Sequence, residues 1–308
     1  MVDRAFCEFP ECGVSIRLQF ANAESARAVV AAVSGQIYGN RLPRLRFVAE
    51  SALQPAAVIT FEVSERYGRV TLAFSGDFAP APLETDLRSV RWDFWKVLST
   101  LLLRILLTRR IVTFHGACLQ VRDRTWLIPG ESGAGKSLLS FLARAHGGTV
   151  LASELSFVRN GSLVAGNCVM CIDDRALTAH RIPLRGDEAA LDGQILSPTD
   201  VPPGLVPLTG VAFAKVITDR TATERGISGQ RTQRLLYDNA VRQLTCWQLL
   251  DDQGVPASLS TPTEELLHIA REATTVAETG GAYVEGPAHE IWAWLADGRA
   301  PADRDEQA

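Results

Sequence analysis

The sequence predicts an α/β fold preceded by a smaller α+β module, and three observations carry that expectation. Gly130-Glu131-Ser132-Gly133-Ala134-Gly135-Lys136-Ser137 reads G-x-x-x-x-G-K-S, with a β-prone run before it (Thr125 to Ile128) and apolar residues at helical spacing after it (Leu138, Leu139, Phe141, Leu142, Ala145). Further short apolar runs, such as Val150 to Ala152 and Gly210 to Thr218, alternate with helical stretches such as Gln230 to Trp247. The 308 residues, 46% hydrophobic and 21% charged, suit one large domain or two smaller ones, with ample length for a buried core.

Taken in order, residues 14 to 20 alternate as a strand, and Asn22 can cap a helix carrying Ala26, Val29, Val30 and Val33. Three β-like runs follow, Leu45 to Val48, Val58 to Val63 and Arg69 to Phe74, with Tyr67-Gly68 as a turn. Ala79-Pro80-Ala81-Pro82 reads as a linker. Glu84 to Arg109 then forms one long helical pattern whose broad apolar stripe predicts burial on more than one side. Val112 to Val121 and Thr125 to Ile128 predict a hairpin, and His146-Gly147-Gly148 ends the helix after the glycine loop. Leu155 to Val158, Leu163 to Val164 and Cys168 to Ile172 read as strands, Pro183 to Pro207 as a long irregular loop. Thr261-Pro262 opens a helix, Ala282 to Val284 is a last strand and Pro287 to Leu295 a last helix. The domain reading is a module at 1–82, a connecting helix at 83–110, the main domain at 111–298 and a polar tail at 299–308.

The chemistry concentrates in the glycine loop. Glycines let the backbone approach an anion without a Cβ in the way. The N–H groups at a helix start converge on phosphate, and the helix dipole adds partial positive charge at the same point. Lys136 is placed to reach β- and γ-phosphates, and the Ser137 hydroxyl to ligate Mg²⁺. A carboxylate must complete such a site, and Glu154, Asp173 with Asp174, and Asp219 each stand at the end of an expected strand.

Other function classes fit less well. The formal net charge of −4 gives no basic field for nucleic acid. The most apolar segment, Val97 to Leu107, contains Arg104 and is too short to span a bilayer. No export signal precedes the six cysteines, so free thiols and a cytoplasmic location are expected. Cys168-Val169-Met170-Cys171 has C-x-x-C spacing, but its apolar middle favours a core strand over a metal or redox site.

Phe114-His115-Gly116-Ala117-Cys118-Leu119, the Ile128 to Ser137 stretch and Val150-Leu151-Ala152-Ser153-Glu154 together resemble the HPr kinase/phosphorylase family. The resemblance is tight over about residues 111–160. From 160 to 295 it extends only to the order of elements, and it does not reach residues 1–80. It implies a P-loop kinase domain similar in fold to phosphoenolpyruvate carboxykinases, with ATP and Mg²⁺ as cofactors. It implies transfer of phosphate to a seryl hydroxyl of a protein, a peptide or free serine, as in relatives that act as serine kinases or sit in clusters for ribosomally made, modified peptides. By the same resemblance Gly130 to Ser137 hold phosphates and metal, His115 lies near the γ-phosphate, and Glu154 is a metal ligand or base. The family's acidic pair begins with Asp, where this chain has Ser153. Two expectations follow: a kinase working with Glu154, His115 and Lys136, or a degenerate nucleotide-binding scaffold that recruits a protein or precursor peptide. The family's hexamers make self-association an expectation as well.

Overall fold

The computed structural model describes residues 4–20, 22–23, 26, 46–66, 69–76, 83–85, 90–184, 186, 188–191, 193–200, 204–218, 221–245 and 263–298. The protein is mixed α/β, and it divides into two compact units, Met1–Arg110 with Leu244–Glu265, and Ile111–Gln243 with Leu266–Ala308. The helix from Asn22, the Tyr67-Gly68 turn, the Ala79–Pro82 linker, the Thr261-Pro262 start and the polar tail lie wholly or mostly outside the described residues.

The first unit holds a six-stranded sheet of β1 (Arg4–Phe9), β2 (Val14–Phe20), β3 (Arg46–Val48), β4 (Ala57–Arg66), β5 (Arg69–Gly76) and β6 (Leu83–Thr85). Their order is β3-β1-β2-β4-β5-β6, and only the β2–β4 pair is parallel. Leu83 to Thr85 pair antiparallel with β5, so helix α1 runs from Val90 to Thr108 rather than from Glu84. From Trp95 onward almost every α1 side chain is buried, Arg104 included.

The second unit is built on a nine-stranded sheet. Its strands are β7 (Val112–Val121), β8 (Arg124–Pro129), β9 (Thr149–Ala152), β10 (Leu155–Arg159), β11 (Ser162–Gly166), β15 (Val206–Pro207), β16 (Gly210–Val216), β17 (Thr223–Ile227) and β18 (Gly281–Gly286). The order is β15-β11-β10-β7-β8-β16-β18-β17, with β9 also paired to β7. At its centre β8, β16 and β18 run parallel, flanked by antiparallel neighbours. In such sheets ligands bind beyond the carboxyl ends of the parallel strands, and the glycine loop leaves β8 at that end.

Among the described residues five helices lie wholly or mostly in this unit: α2 (Lys136–Ala145), α3 (Asp174–Ala179), α4 (Gly229–Thr245), α5 (Thr263–Ala277) and α6 (Ala288–Asp297). The stripe on α2 (Leu138, Leu139, Phe141, Leu142) packs with Trp292, Trp294 and Leu295 of α6 and with Trp126, Val150 and Ile172 of the sheets in one core. Gly147 adopts φ +81 and the Gly148 N–H donates to the Ala143 carbonyl at 2.8 Å, which ends α2 with a left-handed glycine.

The stretch from Pro183 to Pro207 corrects the expectation of an irregular loop. Its β13 (Ala189–Leu191) and β14 (Gln194–Pro198) join β12 (Val169–Asp173) in a three-stranded antiparallel sheet. The register sets Ile172 against Ile195 and Met170 against Ser197. Pairing with a distant strand orders a segment whose Pro, Gly and Asp content reads locally as loop.

Candidate functional site

The glycine loop is shaped by two backbone conditions. Gly133 and Gly135 take φ +84 and +94, values open to glycine at little cost. At Gly135 a Cβ would stand 2.2 Å from Val216 Cγ2, so the end of β16 presses on the loop. The Val216 N–H also donates to the Ala134 carbonyl at 3.1 Å. Helix α2 starts behind Gly135 without a side-chain cap, leaving the first-turn N–H groups as the usual orphan donors of a helix start.

Lys136 is buried, 7% exposed, and its ammonium donates to the carbonyls of Gly130 and Glu131, each at 2.7 Å. Burial lowers its pKa to about 8, against the opposing pull of the Glu154 and Glu131 carboxylates. Glu154 is therefore close enough to Lys136 to act on its charge, as is Glu131 of the loop itself. Glu131 and Ser132 are exposed, while Ala134, Gly135 and Ser137 are half-buried.

Glu154 occupies the corner between β9 and β10, two strands that pair with successive parts of β7. His115 is the last β7 residue paired with β10, opposite Leu155. Gly116, next along, pairs with Pro129 of β8. The Gly116 N–H donates to the Glu154 carbonyl at 2.8 Å, and the Gly130 N–H to the His115 carbonyl at 3.2 Å. These two bonds draw the corner, the histidine and the root of the loop together. The His115 Nε2 stands 3.9 Å from Glu154 Oε1, both side chains partly open to solvent. A Cβ at Gly116 would meet the Ile128 carbonyl oxygen at 2.9 Å, so only glycine lets β7 and β8 run this close here.

Ser153 lies beside Glu154 but is 3% exposed and turned inward. Its hydroxyl accepts from Asn167 Nδ2 at 2.9 Å and donates to the Val169 carbonyl at 3.4 Å. Asp173 caps α3, accepting from the Arg175 N–H at 2.8 Å, and Asp174 is the exposed first residue of that helix. Asp219 lies outside the described residues, although β16, which leads to it, is the parallel neighbour of β8.

Three residues that sequence reasoning missed enter the site's structure. Asn167 receives the N–H groups of Ser153, Glu154 and Leu155, and Asn239 of α4 bonds the backbone of His115. Arg242, one turn beyond Asn239, makes an exposed ion pair with Glu131. The one local signal for Asn239 is its residue type, since asparagine is a weak helix former in mid-helix unless its amide has another partner.

The cysteines form no cluster with metal-ligand character among the described residues. Burial pushes the Cys7 and Cys12 thiols up to about 12 and the Cys118 thiol higher still. Cys168 and Cys171 are half-buried, with Cys171 Sγ donating to Gln194 Oε1 at 3.2 Å. No described helix is long and apolar enough to cross a membrane. Compared with protein-family models and with curated proteins, the chain matches none.

Proposed function

We propose that the second unit is a P-loop kinase domain of the HPr kinase and phosphoenolpyruvate carboxykinase type, transferring phosphate from ATP to a hydroxyl. The acceptor would be a seryl group of a protein, a peptide or free serine. The observation that carries this reading is the convergence of His115 and Glu154 on the root of the glycine loop, with Glu154 acting on the buried Lys136.

The residues present fit the cofactors. The uncapped start of α2 and the left-handed glycines offer N–H donors to phosphate oxygens. Lys136 brings a full positive charge, two of its three donors already tied to loop carbonyls. Mg²⁺ would be held by the Ser137 hydroxyl and the Glu154 carboxylate, completing its shell with phosphate oxygens and water, as this cation usually does. When bound, it neutralises charge on the transferred group. The protein's own part is positioning and electrostatics. The loop fixes the phosphates, Lys136 offsets their charge, and His115 with Glu154 presents a polar face where the acceptor hydroxyl must approach.

Label transfer from γ-labelled ATP to serine, serine-containing peptides and protein acceptors tests this reading. Wild type should label at least one acceptor, and Lys136→Ala and Glu154→Gln should each lower the rate by about two orders of magnitude. No labelling by any form, with equal ATP turnover in all three, removes the enzyme.

A second reading has one specific observation in its favour. The position where the family carries its first Asp is filled by Ser153, whose hydroxyl is engaged internally. A nucleotide-binding scaffold that recruits a protein or precursor peptide would bind ATP in calorimetry and transfer nothing.

A further inference from the structure

We infer that Asn167 and Asn239 are positioning residues that set the main chain of Glu154 and His115; the inference rests on the reading of that pair as part of a phosphoryl-transfer site. Neither asparagine belongs to the glycine loop or to the resemblance around it. Asn239 comes from a helix remote in sequence and Asn167 from the segment that follows β11, and each directs its amide at the backbone of one member of the pair.

Asn167 lies between β11 and β12 and is 1% exposed. Its Oδ1 accepts from the N–H groups of Ser153 at 2.8 Å, Glu154 at 2.8 Å and Leu155 at 3.2 Å. Its Nδ2 donates to Ser153 Oγ at 2.9 Å and to the Val169 carbonyl at 2.7 Å. Its own N–H returns to the Leu155 carbonyl at 3.0 Å, and its carbonyl accepts from Thr199 Oγ1 at 2.6 Å. Three consecutive N–H groups reach one oxygen only if the chain curls around it. The path of the backbone through residue 154 is therefore dictated by the amide at 167. Ser153 belongs to the same knot, which gives a structural reason for a serine beside the acid.

Asn239 performs the matching task from α4. Its Oδ1 accepts from the His115 N–H at 2.8 Å and its Nδ2 donates to the His115 carbonyl at 3.0 Å. A side-chain amide in this arrangement reproduces one rung of a β-ladder, placed where β7 leaves β10. The same His115 carbonyl receives the Gly130 N–H. Asn239 thus holds the histidine and the first loop residue through a single oxygen. Both asparagines act through backbone groups of other residues, which is why they position rather than react.

The test combines hydrogen exchange with kinetics on the full chain, comparing wild type, Asn239→Leu, Asn167→Leu and Asn167→Asp. In Asn239→Leu the His115 amide should exchange about tenfold faster while β8 amides keep their protection. Label transfer should fall about tenfold with ATP affinity held within about threefold, a loss in turnover rather than in binding. Asn167→Leu should expose the amides of 153–155, and Asn167→Asp, which keeps the accepting oxygen but sets its second oxygen against the Val169 carbonyl, should restore their protection only in part. If Asn167→Leu does not fold, the half-buried Asn239 carries the test. Unchanged exchange in Asn239→Leu overturns the inference, as does altered exchange with an unaltered transfer rate. A wild type that transfers no label defeats the proposed function instead. Exchange at 115 and 153–155 then still decides whether the two amides hold that backbone.

Discussion

Lys136 Nζ donates to the carbonyl oxygen of Gly130 at 2.7 Å, so the ammonium expected to face phosphate also ties the loop to its own root. Because burial lowers this lysine to about 8, its charge is titrated close to neutrality. Polyphosphate attraction requires the protonated form. ATP affinity should therefore fall as pH rises through about 8, by about tenfold between pH 7 and pH 9 if only the charged form binds. Calorimetric titration at the two pH values checks this. Glu154 raises the Lys136 pKa, so Glu154→Gln should shift the fall to lower pH. The stability linkage has the opposite sign: the unfolded lysine keeps its proton up to about 10.5, so this residue's contribution to stability is full above that value and is lost as pH falls through about 8.

Gly133 and Gly135 should separate in their response to alanine. Both have positive φ, which costs a Cβ-bearing residue about 1 kcal/mol. A Cβ at 133 meets nothing within 4 Å, whereas one at 135 would stand 2.2 Å from Val216 Cγ2. Gly135→Ala should lower the melting temperature more than Gly133→Ala and abolish ATP binding. Adding Val216→Gly should recover part of the loss, since it removes both the Cγ2 at 2.2 Å and the Cβ at 2.6 Å. Equal melting temperatures for the two glycine variants would contradict the loop geometry.

Glu272 of α5 is 3% exposed, and its two carboxylate oxygens accept from the N–H groups of Asn160 at 2.9 Å and Gly161 at 2.7 Å. Those residues form the left-handed turn of the β10–β11 hairpin, the turn type that Asn-Gly favours. Glu272→Ala strands two donors and should cost about 2–4 kcal/mol in urea unfolding. Glu272→Gln, which keeps one acceptor, should cost less.

The thiols should divide by burial. With Cys7, Cys12 and Cys118 buried and their pKa values raised, alkylation of the folded protein should reach Cys168 and Cys171 before those three, since the thiolate is the reacting form. Mass mapping after brief iodoacetamide treatment reads the order. Early modification of Cys118 would show that the β7 core opens readily.

How much of this was legible in the sequence depended on range. Strand β8, the loop and α2 are neighbours in sequence, so spacing and residue type were enough to place Gly130 to Ser137 between a strand and a helix. Glu154 could be singled out because it follows a short strand near that loop, whereas His115, inside the long β7, stood out only through the resemblance to the HPr kinase family. Asn239 could not, because the backbone it bonds lies far away along the chain, and Asn167 could not, because an asparagine between two strands carries no period that marks it. The β13 and β14 strands were hidden for a different reason: β14 pairs with the more distant β12 and β13 joins only through β14, while Pro183, Gly186, Asp187 and Pro198 give the stretch the local look of a loop. The early start expected for α1 failed because Leu83 to Thr85 find a partner in β5, which helical spacing alone does not show.

The most direct measurement is titration of ATP into wild type and Glu154→Gln, each with and without Mg²⁺. Wild type should bind, more tightly with the cation, and Glu154→Gln should lose that gain while retaining metal-free binding. Absence of binding to wild type, or a Mg²⁺ effect that survives Glu154→Gln unchanged, would contradict a site in which the loop at 130–137 and Glu154 share one metal-bound nucleotide.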